Sequence, residues 1–263
     1  MANDSLVSCL MVTSPGREHL AVRAVRSFNS SNWVNCELVV VIDGDGKQEC
    51  GRRLVAACRD ASAVRLVVAD DGLSLGALRN LALTGSSGDY VVQWDDDDFY
   101  HPDRVRLQMA PHGDGVVASC LSDQIYFFEG DCSAYRVDWR RRGVDPATSR
   151  RRSSLIPGTV LARREDALRA AYPENGPVAK RGEDGEFLRR LTVMGRCVAV
   201  DDAGWCYART YHGSNTWAAG HFRGNVRWLG RSRDDLDAWW SMADQTLRLG
   251  GVTSATWPDP QGA

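Results

Sequence analysis

The segment Tyr90-Val91-Val92-Gln93-Trp94-Asp95-Asp96-Asp97-Asp98 joins a short apolar run directly to four aspartates. An apolar run of this length, bounded by polar residues, is typical of a buried strand that ends in a loop. Three earlier strands are predicted in the same way, over Leu6 to Thr13, Glu37 to Ile42 and Val64 to Ala69. The residues between the strands have helical spacing, which predicts helices over Glu18 to Phe28, Gln48 to Arg59 and Leu75 to Leu83.

This alternation of strands and helices predicts an α/β fold with a mostly parallel sheet and helices on both faces. Each predicted strand is followed by polar residues, namely Thr13-Ser14, Asp43, Asp70-Asp71 and Asp95 to Asp98. Ligands of such sheets bind outside the carboxyl ends of the strands. We therefore expect the functional site at this edge of the sheet.

The pattern becomes less regular after Pro102. Further helices are predicted over Asp103 to Met109, after Leu161 as far as Ala171, over Asp184 to Met194 and over Asp234 to Leu249. Between them, the segment Tyr135 to Ser154 has few apolar residues and is predicted to be an exposed loop. Its arginines are Arg136, Arg140, Arg141, Arg142, Arg150, Arg151 and Arg152.

The composition is that of an ordinary globular protein, with 263 residues, 43% hydrophobic and 25% charged residues, and a net charge of -2. This balance argues against disorder, and the overall charge indicates no polyanionic partner. The early apolar run Leu6 to Val12 is too short to span a bilayer and has no preceding basic residue, so we expect a cytoplasmic protein without a transmembrane segment. The eight cysteines form no C-x-x-C pair and are expected to be reduced.

Four consecutive aspartates raise one another's pKa unless a cation lies between them. Their oxygen ligands suit Mg²⁺ or Mn²⁺, ions that commonly bridge to substrate phosphates. A calcium-binding EF-hand is excluded, because Leu54 stands where a loop beginning at Asp43 needs a glutamate. The alternative is a solvated acidic turn that caps the helix after Pro102. The position of the aspartates at the end of a buried strand favours the metal site.

Six segments in this order resemble glycosyltransferase family 2, whose members have the GT-A fold. They are Cys9-Leu10-Met11-Val12-Thr13-Ser14-Pro15-Gly16-Arg17, Val39-Val40-Val41-Ile42-Asp43-Gly44, Gly76-Ala77-Leu78-Arg79-Asn80, Tyr90 to Asp98, Gly182-Glu183-Asp184-Gly185-Glu186-Phe187-Leu188-Arg189-Arg190 and Tyr211-His212-Gly213-Ser214-Asn215. The resemblance covers roughly residues 5 to 217. It implies a GT-A catalytic domain over residues 1–216, with a nucleotide-sugar half up to about residue 101 and an acceptor half from about residue 102. Residues 217–263 would form a tryptophan-rich helical extension.

The resemblance also implies roles for individual residues. Asp97 would bind the metal, His212 would complete the metal site, and Asp184 would be the catalytic base. The residues implied on the acceptor side are Trp94, Gly158 and Glu183. Those implied in donor binding are Thr13, Ser14, Pro15, Arg17, Asp43, Arg79, Asn80, Asp95 and Asp96. Each also has a structural alternative: Asp184 and Glu183 suit the start of a helix, and Asp43 suits a turn.

The activity that the resemblance implies is metal-dependent transfer of a sugar from a nucleotide-diphospho-sugar, with inversion at the anomeric carbon. UDP is the family's commonest nucleotide. The Gln-x-x-Arg-Trp signature of processive synthases is not met, because Gly224 precedes Arg227-Trp228 where glutamine is needed. Transfer of a single sugar is therefore expected. Two alternatives stay open, a sugar-phosphate nucleotidyltransferase and a catalytically silent module that binds glycans or nucleic acid.

The acceptor is not identified by the sequence. The arginine-rich segment has two interpretations, an attraction for an anionic acceptor (nucleic acid, protein or a lipid-linked sugar) or a solvated loop without a ligand. The tryptophans of the tail, which include Trp217, Trp228, Trp239, Trp240 and Trp257, suit a core or a subunit contact better than stacking on a sugar. A homo-oligomer is accordingly a further expectation.

Overall fold

The computed structural model describes residues 4–143, 153–233 and 237–262. The strands are β1 (Val7–Thr13), β2 (Cys36–Ile42), β3 (Val64–Val68), β4 (Tyr90–Gln93), β5 (Phe99–Tyr100), β6 (Val116–Leu121), β7 (Asp123–Phe128), β8 (Ser133–Asp138), β9 (Leu161–Arg163), β10 (Arg196–Val200), β11 (Tyr207–Tyr211) and β12 (Gly230–Arg231). The helices are α1 (Glu18–Asn29), α2 (Lys47–Ala57), α3 (Leu75–Gly85), α4 (Arg104–Met109), α5 (Arg164–Ala170), α6 (Glu183–Met194), α7 (Ala219–Leu229) and α8 (Asp237–Leu249).

The larger sheet has the strand order β10-β6-β9-β4-β1-β2-β3. β1 pairs in parallel with both β2 and β4, β2 with β3, and β10 with β6, whereas β9 is antiparallel to its neighbours. One apolar core contains Ala24 and Phe28 of α1, and the other contains Leu78 of α3 and Phe187 of α6. The predicted α/β fold, mostly parallel with helices on both faces, is confirmed.

A second sheet, with the order β12-β8-β7-β11-β5, was not expected from the sequence. Its strands β7 and β8 form an antiparallel pair in which every residue is buried. Phe222 of α7 packs in the apolar cluster on one face, and Trp239 and Trp240 of α8 pack in the cluster on the other. Because both faces are covered, the alternating pattern of a one-sided strand is missing, so periodicity could not reveal this sheet.

The prediction of an exposed loop from Tyr135 to Ser154 is wrong at its start, where the chain continues β8. Arg136 is only 1% exposed. Its guanidinium lies 2.8 Å from Asp123 and 2.6 Å from Asp202, and it stacks over Trp239. Paired carboxylates thus permit a buried arginine that composition alone assigns to the surface. Arg150, Arg151 and Arg152 lie outside the described residues.

The tail is packed into this second sheet. β12 pairs with β8, and α8 covers the face that contains Phe99, Ile125 and Phe127. All eight cysteines are free, and four of them are buried, Cys9, Cys50, Cys120 and Cys206.

Across residues 4–143, 153–233 and 237–262, no helix has both the length and the apolar character needed to cross a membrane.

Candidate active site

A cavity of about 430 Å³ lies at the carboxyl ends of β1, β2 and β4, and one face of the second sheet forms part of its wall. Parallel strands bring the residues that follow them to one edge of the sheet, which is why motifs far apart in the sequence meet here. The predicted site residues that line the cavity are Thr13, Ser14, Arg17, Asp43, Arg79, Asp95, Asp96, Asp97, Gly158, Glu183 and Asp184.

Arg17 holds the middle of the aspartate run in place. Its guanidinium forms a bidentate ion pair with Asp96, at 2.7 and 2.8 Å, and also reaches Asp97 at 3.0 Å. The Thr13 hydroxyl donates a hydrogen bond of 2.7 Å to the same Asp96 carboxylate. Asp96 therefore has its oxygens occupied by the chain itself, and its role is to position Arg17 and Thr13 beside the cavity.

Asp97 and His212 converge from the two sheets. His212 Nε2 lies 3.0 Å from Asp97 Oδ2, and Ser214 Oγ lies 3.0 Å from the other ring nitrogen. Burial alone would raise the pKa of Asp97, but the hydrogen bond from His212 and the charge of Arg17 outweigh it and lower that pKa. Asp97 is thus held as a carboxylate, the form that binds a cation.

The pair fits a divalent ion of the Mg²⁺ or Mn²⁺ type. Asp97 Oδ2 and His212 Nε2 lie 3.0 Å apart, so an ion that replaced the proton between them could be held by both residues. Among residues 4–143, 153–233 and 237–262, no cluster of three or more His, Cys, Asp or Glu side chains is arranged to hold a metal. An ion here would therefore take its other ligands from substrate phosphates and water, as Mg²⁺ commonly does.

Arg79 of α3 links Asp95 to Glu183. Its guanidinium lies 2.9 Å from Asp95 Oδ1 and 3.0 Å from Glu183 Oε1. Gln93 adds a hydrogen bond of 2.9 Å to Asp95 Oδ2. Burial raises the pKa of Glu183, Arg79 opposes the shift, and the nearby Asp184 adds to it. This network fixes the first turn of α6 against the end of β4.

Asp98, which also lines the cavity, connects the aspartate run to the second sheet. Its carboxyl group accepts hydrogen bonds from the Tyr207 hydroxyl and from the Thr210 backbone N–H, at 2.8 Å for the latter. Asp98 is 2% exposed. Burial and the charges of Asp97 and Asp95 raise its pKa well above the ordinary value.

Asp184 lies in the first turn of α6 and lines the cavity. Its Oδ1 accepts a 2.7 Å hydrogen bond from the Gly185 backbone N–H. A Cβ at Gly158 would lie 3.8 Å from Asp184 Oδ2, so the glycine leaves the space beside this oxygen open. A carboxylate in such a place can accept a proton from a bound hydroxyl group.

Four predicted site residues are not in the cavity wall. Asn80 bonds to the backbone of Tyr172, at 2.8 and 3.0 Å, and ties α3 to the loop after α5. Trp94 is 1% exposed and donates to the Ala24 carbonyl, so it belongs to the core and not to an acceptor surface. Pro15 packs against the turn at Gly44, whose φ of +96° favours glycine. His212 reaches the site only through Asp97.

Sequence reasoning missed the wall that the second sheet, α7 and the adjoining loops supply. It includes Gln124, Trp139, Arg181, Tyr207, Arg209, Trp217, His221 and Asn225. Part of this wall had a signal, because Trp217 lies two residues after the last recognised motif. The rest belongs to a sheet that periodicity could not detect.

The chain is similar to known proteins in sequence and in fold. Residues 9–164 match the family model described as "Glycosyl transferase family 2". The succinoglycan biosynthesis protein ExoO of Rhizobium meliloti (strain 1021) is 33% identical over 199 residues, which are 71% of this chain and 56% of that protein. The chain spans about half the length of the curated relatives it matches, 46% and 56%.

Two solved structures share the fold. The mannosyltransferase PcManGT from Pyrobaculum calidifontis, in complex with GDP-Man and Mn²⁺, aligns with a TM-score of 0.56 at 14% identity, over 97% of this chain and 66% of that one. S. aureus TarS 1-349, in complex with UDP-GlcNAc, aligns with a TM-score of 0.52 at 15% identity, over 95% and 73%. At these identities the likeness shows the GT-A architecture alone. The family model matches more than half of this chain, and the chain therefore belongs to glycosyltransferase family 2.

Proposed function

We propose that this protein transfers a single sugar from a nucleotide-diphospho-sugar to a hydroxyl group of an acceptor, with a divalent metal and with inversion at the anomeric carbon. The observation that carries this proposal is that Asp97 and Asp184 line one cavity, Asp97 beside His212 and Asp184 beside open space. Asp97 is kept in the charged form that can bind a cation, and Asp184 is available to take a proton.

The donor would bind at the ends of β1, β2 and β4. Ser14 and Asp43 line the part of the cavity at the ends of β1 and β2, where the nucleoside would bind. Asp95, held by Arg79 and Gln93, would accept a hydrogen bond from the ribose. Both GDP-Man and UDP-GlcNAc occur in neighbours of the same fold, so the preference for UDP remains an expectation of this proposal.

Asp97 and His212 would hold the metal ion. When bound, such an ion supplies Lewis-acid stabilisation of the negative charge that develops on a diphosphate leaving group. The chain's own contribution is to orient the two ligands: Ser214 engages His212 Nδ1, and Arg17 lies against Asp97. The Mn²⁺ in the PcManGT complex supports an ion of this class.

Asp184 would act as the general base. Its carboxylate would remove the proton of the acceptor hydroxyl as that oxygen attacks the anomeric carbon, a contribution of roughly 10²–10⁴ in rate. The bond from the anomeric carbon to the phosphate oxygen breaks as the new glycosidic bond forms, and the diphosphate leaves. A single displacement with one base and no covalent nucleophile inverts the configuration, as in inverting glycosidases.

The first experiment is a panel of UDP-, GDP-, dTDP- and CDP-sugars, each measured by thermal shift with and without Mn²⁺. A ligand at 100 times its Kd adds about 2.7 kcal/mol to stability. We expect one nucleotide to give a Mn²⁺-dependent shift and slow metal-dependent hydrolysis that releases the nucleoside diphosphate. Release of inorganic diphosphate from a sugar phosphate and a nucleoside triphosphate would instead indicate a nucleotidyltransferase. Binding without any turnover would indicate a silent module.

Two substitutions separate the proposed roles. Asp97→Asn is expected to abolish the Mn²⁺-dependent part of donor binding, because the amide is a poor cation ligand. Asp184→Asn is expected to leave donor binding unchanged and to lower turnover at least 100-fold, because it removes the base. Titration of the preferred nucleotide and a product assay measure the two effects. Asp114→Asn, on the exposed turn before β6, is the matched control. Full activity of Asp184→Asn would disprove the assignment of the base.

A further inference from the structure

The face of the second sheet that borders the cavity carries polar side chains that the proposed donor chemistry does not use. β7 and β11 run in parallel, with Ile125 opposite Ala208 and Tyr126 opposite Arg209. Side chains two residues apart share a face, so Gln124 and Tyr126 of β7 lie on the same side as Tyr207 and Arg209 of β11. Gln124, Tyr207 and Arg209 all line the cavity, on the wall that adjoins Asp184.

Gln124 is the decisive residue on this wall. It is 0% exposed, yet neither its amide nitrogen nor its amide oxygen has a hydrogen-bond partner. A buried amide without partners is costly and rare in folded proteins. The side chain borders a cavity, so a ligand that enters there can supply the missing donor and acceptor. The indole nitrogen of Trp139, in the same wall, is buried and unpartnered as well.

Arg209 adds positive charge beside Gln124. Its guanidinium lies 4.9 Å from the Phe222 ring centre and 5.9 Å from that of Tyr126, and within the described ranges no carboxylate forms an ion pair with it. Arg181, which also lines the cavity, stacks over Trp217 and likewise has no ion pair with a described residue. By contrast, Arg17 and Arg79 on the donor side are both paired with aspartates.

Arg209 and Arg181 both lie close enough to His221 to act on its ring. Burial lowers the pKa of His221, and the charges of Arg209 and Arg181 lower it further, whereas Asp184 raises it. Arg209 and Arg181 thus give this wall two guanidinium groups without an ion pair to a described residue, with Asp184 at its border. An anionic ligand bound there would pair with Arg209 and place its neighbouring hydroxyl groups near Asp184.

We propose that Gln124, Trp139 and Arg209 form the acceptor subsite, and that the acceptor is a carbohydrate carrying a carboxylate or phosphate group. Gln124 and Trp139 bind sugar hydroxyl groups, and Arg209 binds the anion. This inference rests on the proposed function, because it takes Asp184 as the base toward which the acceptor hydroxyl is directed.

The binding test uses D-glucuronate, D-glucose 6-phosphate and D-glucose at equal ionic strength, measured by ligand-observed NMR. The full chain is studied with Mg²⁺, which is diamagnetic and does not broaden the ligand signals, and with the nucleoside diphosphate that the donor panel identifies. We expect at least one charged sugar to bind ten-fold or more tightly than glucose, and the preferred one shows whether the anion is a carboxylate or a phosphate. Equal binding of all three sugars, with nucleotide binding intact, overturns the acceptor inference alone. Absence of nucleotide binding overturns the proposed function as well.

Arg209→Gln is expected to remove the preference for charged sugars and to leave nucleotide affinity within two-fold. The matched control is Arg223→Gln, on the exposed side of α7 outside the cavity wall, which should keep the preference. Loss of nucleotide binding in Arg209→Gln, with the preference for charge retained, would assign this arginine to the donor diphosphate and overturn its acceptor role.

Gln124→Met distinguishes a ligand-binding role of Gln124 from a structural one. We expect Tm to rise by about 2–6 °C, because two unsatisfied buried atoms disappear, while affinity for the charged sugar falls at least five-fold. The matched control is Gln108→Met. Gln108 is also 0% exposed, but its amide donates to the Thr159 carbonyl at 2.6 Å and accepts from Arg104, so Tm should fall. A fall in Tm for Gln124→Met, or unchanged sugar affinity, overturns the proposal.

Discussion

Asp97 and Asp98 are neighbours in the chain, yet the protein shifts their pKa values in opposite directions. Asp97 accepts hydrogen bonds from His212 and Arg17, which favour the charged form. Asp98 is enclosed by the second sheet, where burial and adjacent carboxylates favour the neutral form. At the scale of single residues, an identical side chain is thus kept charged at one position and made a structural link at the next.

His112 offers a test of the same principle away from the site. Burial, followed by the charge of Arg163, lowers its pKa to about 4. The unfolded chain, with a histidine pKa near 6.5, therefore binds a proton that the folded chain does not, and stability falls as pH falls from about 6.5 toward 4. Through His112, the wild type should lose about 2 kcal/mol of its free energy of unfolding between pH 7.5 and pH 5. We expect His112→Gln to remove this loss. Urea unfolding of both proteins at the two pH values measures it. An equal change in the free energy of unfolding between the two pH values for both proteins would contradict the lowered pKa of His112.

At the scale of elements, α3 shows how packing overrides local preference. Glycine lowers helix stability, yet Gly76 lies in the first turn of this helix. A Cβ at Gly76 would lie 1.8 Å from the Pro173 carbonyl oxygen, so only glycine lets the helix approach the loop after α5. This approach matters for function because α3 carries Arg79, which holds Asp95 and Glu183.

Gly76→Ala should therefore be destabilising, by roughly 2–3 kcal/mol, despite its better helix propensity. We also expect weaker nucleotide binding, because a displaced α3 moves Arg79. The control is Gly224→Ala in α7, where no atom lies within 4 Å of the added Cβ and a gain of about 0.5–1 kcal/mol is expected. Urea denaturation compares the two. If both variants gained stability, the close approach of α3 to Pro173 would be wrong.

At the scale of the whole molecule, the cavity lies between two sheets, and the tail supports the second one. Trp239 of α8 is 4% exposed, lies beside Ile125 and Phe127 in one apolar cluster, and stacks on Arg136. Residues before and after position 217, which the resemblance assigns to different parts of the chain, therefore share an apolar core. The wall with Gln124 and Arg209 depends on this core, since both residues belong to strands that α8 covers.

Trp239→Ala is expected to cost about 3–5 kcal/mol, as for other large-to-small changes of buried aromatic residues. Trp228→Ala is the matched control, because Trp228 is 78% exposed and should change stability by no more than about 0.5 kcal/mol. Equilibrium unfolding in urea gives both values. Similar effects of the two substitutions would show that α8 does not support the second sheet.

The sequence by itself predicted four parallel strands of the larger sheet, the helices between them, the family and the edge of the sheet at which the cavity lies. These follow from local patterns, because periodicity reports burial within one element and parallel strands place their ends together. The aspartate run follows from the same patterns, whereas Asp184 is implied by the family resemblance; Asp95, Asp97 and Asp184 all line the cavity.

Only the tertiary structure decided the second sheet, the buried ion pairs of Arg136, and the separation of Asn80 and Trp94 from the cavity. Each depends on contacts between distant parts of the chain. Thr13 and Asp96 are 83 residues apart, and Asp98 and Tyr207 are 109 apart. The environment of a polar side chain, whether paired, buried or directed at a ligand, is set by such contacts, and no pattern within a short segment encodes them.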